Sequence, residues 1–115
     1  MSVRDRADDD VGILDVRIRF TPRLPVVRLS GDLDLASEHL LADSLESVAA
    51  NARQAEVVVL DMAAVRFCDV AGLRAIEWCA ASLSATGKQL VLYHPPRSVT
   101  KLIAMTGVAQ WVTIR

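Results

Sequence analysis

The chain has 115 residues, 52% hydrophobic and 23% charged, with a formal net charge of -1. That is the composition of one globular domain, not of a disordered chain. The charge balance excludes a basic nucleic-acid or membrane-surface binder, and no apolar run approaches the roughly 20 residues that span a bilayer.

Residues 1–11 are polar and acidic, with Asp5, Asp8, Asp9 and Asp10 where a secretion signal would be apolar. They read as a loose tail before a single domain over 12–115, in a soluble cytoplasmic protein. Leu14, Val16, Ile18 and Phe20 alternate with Asp15, Arg17 and Arg19, the period of a strand with one wet face. Thr21 to Pro25 breaks the ladder, because proline supplies no backbone donor. Val26 to Ser30 resumes as a second strand across a hairpin, and Gly31 marks a turn.

Ser37 is placed as the N-cap of a first helix, with Glu38 in the first turn where the helix dipole favours an acid. Leu41, Leu45, Val48 and Ala52 form its buried stripe, with Leu40 and Ala49 beside it. After a connector over 51–56, Val57 to Asp61 is the continuous apolar run of a strand covered on both faces. Met62 to Asp69 reads as a loop. A second helix is predicted over Val70–Ala85, with Leu73, Ile76, Ala80 and Leu83 inward and Gly87 past its end. Leu90 to Tyr93 is another buried strand. Pro95-Pro96 opens a third helix lined by Val99, Leu102, Ile103 and Thr106, and Gly107 suits a left-handed cap. Trp111 to Ile114 is a last short strand. The order ββαβαβαβ predicts an α/β fold, a mixed sheet with helices packed against it.

Catalytic constellations are missing. His39 and His94 have no acid and nucleophile fixed beside them and read as surface residues. Gly87-Lys88 looks like the end of a phosphate loop, but Ser82 stands where the first glycine belongs. Asp61 ends a strand as the phosphoacceptor of a receiver domain does. However, the acids Asp8 to Asp10 precede the first strand, and Lys88 precedes the following strand instead of trailing it. Asp61 is therefore read as an acceptor of backbone bonds in the following loop. Cys68 and Cys79 lack CxxC spacing and a nearby histidine, and read as small apolar residues. A redox pair between them would need Cα atoms within about 7 Å. No metal or cofactor is expected.

Asp69-Val70-Ala71-Gly72-Leu73 sits where a loop enters the second helix, with Asp69 at the cap and Gly72 permitting close backbone approach. Together with Leu29-Ser30-Gly31-Asp32-Leu33-Asp34, the strand Val57–Asp61 and Met105-Thr106-Gly107, this resembles the STAS domain of bacterial anti-sigma factor antagonists. The likeness runs from about Ile13 to Arg115. It implies a non-enzymatic partner-switch module, a monomer or weak dimer, which binds neither nucleic acid nor the membrane interior. Its implied partner is an anti-sigma factor of the serine-kinase-like ATP-binding fold, whose capture frees a sigma factor for transcription. The resemblance also admits a small cytoplasmic regulatory subunit of a lipid ABC transporter, or a scaffold subunit of a stress-sensing complex.

In the phosphorylated branch of that family the partner transfers phosphate to a serine or threonine at the start of the second helix. The corresponding position here, directly before Gly72, is Ala71, preceded by Val70, and neither carries a hydroxyl. The alanine marks either a module released from that control or a helix start that has drifted; Ser37, Ser44, Ser82 and Ser84 remain as other acceptors. The implied partner surface comprises Asp32, Asp34, Asp69, Val70, Ala71, Gly72, Arg74, Ala75, Trp78 and Ser82. On a helical projection Trp78 falls about 140° from Leu73, near Ala71 at about 160° and Ser82 at about 180°. It is either an interface anchor or a lid folded over Phe67 and the segment 62–68.

Overall fold

The computed structural model describes residues 13–115; the tail expected over 1–11 lies outside the described residues. β1 (Asp15–Arg19) and β2 (Val26–Leu33) form the opening hairpin. There follow α1 (Glu38–Asn51), β3 (Val57–Cys68), α2 (Val70–Ala85), β4 (Gln89–Tyr93), α3 (Arg97–Thr106), a 3-10 turn and β5 (Val112–Ile114). The element order is the one predicted, and α2 has the predicted bounds. The strands lie side by side in chain order, β1 antiparallel to β2 and all later pairs parallel.

Each crossover therefore moves one strand along in the same direction, and its right-handedness puts all three helices on one face of the sheet. Val27, Leu29, Val58, Leu60, Leu90 and Leu92 point to that face and are fully buried. Beneath the helices they meet Leu41, Leu45 and Val48 of α1, Leu73, Ile76, Ala80 and Leu83 of α2, and Val99 and Ile103 of α3. Burying one such aliphatic side chain stabilises the fold by about 1.5–3 kcal/mol.

The structure corrects several expectations. The run at 57–61 is not covered on both faces: Val57 and Val59 are only half-buried on the helix-free side. β-branched residues prevail there because β3 is an interior strand, hydrogen-bonded to β2 and β4. Nor is 62–68 a loop. β3 continues through it, pairing Ser30 with Ala64, Asp32 with Phe67 and Leu33 with Cys68. Two register shifts interrupt this stretch, so its buried residues, Met62, Val65 and Cys68, recur every third position and conceal the strand period. Asp61 accepts a bond from the Ala63 amide at 3.0 Å, as expected, but within a strand.

Gly31 is not a turn. It lies inside β2 at φ 94°, where a Cβ would stand 2.2 Å from the Ile13 carbonyl oxygen. Only glycine admits both that backbone angle and that approach. Asp15, expected on the wet face of β1, is buried and receives the Arg17 guanidinium at 3.0 Å. Ile18 and Phe20, expected inward, are exposed beside the end of α1: Ile18 lies on the edge strand β1 and Phe20 just past its end. In α3, Thr106 faces solvent and turns its hydroxyl back to the Leu102 carbonyl. Both histidines are exposed, with His94 stacked on Tyr93 at 4.0 Å.

Lys88, before β4, is buried and does unforeseen work. Its Nζ donates to the carbonyls of Ala52 at 2.9 Å, Arg53 at 3.3 Å and Ala55 at 2.5 Å. A cation thus closes the carboxyl end of α1, where the helix dipole is negative and carbonyls lack partners. Replacing Lys88→Met should lower unfolding free energy by about 2 kcal/mol or more, measured by urea denaturation, because buried acceptors lose their donor. Cys68 and Cys79 are free and buried. Burial pushes the Cys68 thiol up to about 12, with the Asp69 charge adding to it, and burial pushes Cys79 up to about 11. A thiol held above its ordinary range stays protonated and unreactive. Native protein at pH 8 should therefore react with a disulfide reagent at least about 100-fold more slowly than unfolded protein; equal rates would refute the burial.

Candidate functional site

Two adjacent chain reversals at the carboxyl end of the sheet build the site. At the first, the Ser37 amide donates to the Asp34 side chain at 3.1 Å and the Asp34 amide donates to Ser37 Oγ at 3.0 Å. The Ser37 hydroxyl also lies 3.0 Å from the Asp32 carbonyl. Ser37 holds the cap position of α1 as predicted, but its oxygen serves this turn and makes no cap bond to the helix. Asp32 and Asp34 are thereby fixed in place.

The second reversal starts α2. The Asp69 amide donates to the Leu33 carbonyl at 3.2 Å, and Asp69 Oδ1 accepts the Gly72 amide at 2.8 Å. The carboxylate is a true N-cap, as the sequence implied. A Cβ on Gly72 would lie 2.4 Å from the Leu33 carbonyl oxygen and 2.9 Å from the Leu33 Cγ. The absence of a side chain lets the first turn of α2 rest directly on the end of β2.

From that turn the expected residues separate into two roles. Gly72 is buried and can touch no partner; its part is positional. Val70 is 51% exposed and Trp78 61% exposed, with Arg74 and Ser82 also exposed and Ala71 and Ala75 half-buried. Spacings of three and four place these along one ridge of α2. Asp32, Asp34 and Asp69 are half-buried at its foot.

Trp78 does not act as a lid. Phe67 is itself 51% exposed, and Trp78 instead borders a hollow with Ala42 and His39 of α1. Sequence reasoning missed the α1 side of this surface. The available signal was Ala42 and Ala49 on the shoulder of the α1 stripe, where a neighbouring helix comes close.

The ridge presents an indole and a guanidinium, residue types enriched among interface anchors, with the exposed Val70 beside them. Among the described residues no group of three or more His, Cys, Asp or Glu is placed to hold a metal ion. No described helix is long and apolar enough to cross a membrane.

Known structures share this architecture. The unphosphorylated form of the anti-sigma factor antagonist SpoIIAA superposes with a TM-score of 0.71 at 18% identity, over 87% of this chain and 87% of that one. An anti-sigma factor antagonist from Mycobacterium paratuberculosis gives 0.71 at 22% identity, over 88% and 84%. The murine anion transporter Slc26a9 contains a similar unit, with a TM-score of 0.70 at 19% identity over 84% of this chain and 16% of the transporter. At these identities the likeness is one of fold. No curated protein matches the chain significantly. A family model described as "Mlab, STAS domain" matches residues 16–114, nearly the whole described chain, and the protein is therefore a member of the STAS domain family.

Proposed function

We propose that this chain is a partner-switch protein of the anti-sigma factor antagonist type. It binds an ATP-binding anti-sigma factor through the α2 ridge, frees a sigma factor, and catalyses no reaction itself. The observation that carries the proposal is Trp78, 61% exposed on the same ridge as the first turn of α2. So large an apolar surface left in water is what a binding partner covers, and tryptophan is enriched among the residues that dominate interface energy. The fold shared with two antagonists supports the partner class.

Ala71 decides how such a switch is controlled. One of those antagonists exists in an unphosphorylated form, named as such. Between the Asp69 cap and Gly72 the only side chains are a valine and an alanine, so no hydroxyl stands there to receive a phosphoryl group. The module stays permanently in the binding state at this position. A phosphate would add about -1.5 to -2 charges beside Asp69 and change the surface outright.

A second reading has its own support. The family description "Mlab, STAS domain" favours a regulatory subunit of a lipid ABC transporter, which would set the same ridge against an ATPase subunit. Affinity purification from native cells separates the two, an anti-sigma factor supporting the first and an ATPase–permease complex the second.

With the purified partner, Trp78→Ala should weaken binding by about 2 kcal/mol, roughly 30-fold, with an unchanged circular dichroism spectrum. Loss of the folded spectrum would instead make Trp78 structural. Ala71→Glu should abolish capture, since an unpaired charge buried at an interface costs several kcal/mol. Incubated with ATP and the partner, wild type should carry no phosphate on residues 70–73 by mass spectrometry, whereas Ala71→Ser should acquire it. Phosphate on the wild-type segment would overturn the assignment of Ala71.

A further inference from the structure

We infer that the hollow between α1 and α2 receives a basic amphipathic helix of the protein partner, with one bulky apolar side chain seated against Trp78. The inference rests on the reading above, that α2 presents the docking face, and adds the chemistry of what docks there. Two adjoining hollows, of about 640 and 160 Å³, share Ala42 and Trp78 in their walls. They exist because small residues face each other where the helices run together: Ala42 and Ala49 on α1, Ala75 on α2. The smaller hollow is floored by Leu45 and Leu83, both buried. At about 160 Å³ the smaller hollow has room for one leucine, methionine or phenylalanine side chain entering from its open side.

Charge chooses among occupants. Glu38 and Glu77 border the larger hollow and Glu46 the smaller, against Arg74 and the exposed imidazole of His39. Three carboxylates around an apolar floor repel an acidic segment or an anionic lipid headgroup. They attract lysine or arginine placed one helical turn from an apolar anchor. That pattern is the ordinary mode by which an amphipathic helix enters a groove.

The test places a photo-crosslinking residue at either of two positions of the full chain in its native host. Ser82→benzoylphenylalanine reports the hollow, and Val70→benzoylphenylalanine reports the ridge nearest the first turn of α2. Adducts are mapped by mass spectrometry. At Ser82 the expected adduct is a segment of another protein with a bulky apolar residue within four positions of at least two lysines or arginines. The paired change Glu46→Lys and Glu77→Lys should lower its yield at least fivefold, and Glu46→Gln with Glu77→Gln should lower it less. Circular dichroism checks that both pairs fold.

An adduct at Val70 with none at Ser82 overturns this inference and leaves the docking reading standing. So does a Ser82 adduct on an acidic segment, on lipid, or on a second copy of this chain, whose α3 exposes Arg97, Lys101 and Met105. A yield indifferent to both charge changes overturns it equally. No adduct at either position overturns the docking reading itself and this inference with it.

Discussion

The whole surface depends on one contact, the backbone of Gly72 against the carbonyl of Leu33. β2 ends there and α2 begins there, although nearly forty positions separate the two in the chain. A single methyl at Gly72 would stand 2.4 Å from that oxygen, well inside any tolerable approach. With the methyl absent, the Asp69 amide reaches the same carbonyl and its carboxylate caps the helix. The first turn of α2 is thus held on three sides, by contact, by a backbone bond and by a cap. The tilt of the helix follows, and with it the direction in which Val70, Arg74 and Trp78 face.

The layering explains why recognition and stability occupy different residues. All helices share one side of the sheet, so the core forms between that side and their inner stripes. Val70, Arg74, Trp78 and Ser82 on the outer ridge of α2 lie outside that core. Ala75 and Ala42 are small because helices meet beside them, and the same smallness opens a hollow under an exposed indole. Cys79 lines the smaller hollow, but burial holds its thiol protonated and so unreactive. Lys88 anchors the far end of α1, so both helices that border the hollow are fixed at a terminus: α1 by a cation at its carboxyl end, α2 by a carboxylate at its amino end.

Much of this was legible in the sequence, for identifiable reasons. α2 was readable to the residue because a strong cap, a clear apolar stripe and a glycine after its end agree. The role of Gly72 was readable too, since a glycine in the first turn of an amphipathic helix calls for a close neighbour. The second half of β3 was not. Its register shifts spread the inward residues to every third position, a spacing that hides the two-residue period of a strand. Gly31 misled for the opposite reason: a residue type associated with turns serves here inside a strand. Lys88 gave no local sign, because its acceptors lie more than thirty residues away. The α1 wall of the hollow likewise arises only when two distant helices come together.

The arrangement of strands has a consequence for how the chain reaches this state. Neighbours in the sheet are neighbours in sequence order, from β1 through β5. Each new strand therefore docks on an edge completed by the one before, and none must insert between strands already paired. Loops closed in this way stay short for a largely parallel sheet, which favours rapid assembly. A polypeptide emerging amino end first from the ribosome can lay down its sheet in the order it is made. The growing edge is finally occupied by the three residues of β5, and the five-residue β1 stands at the opposite edge.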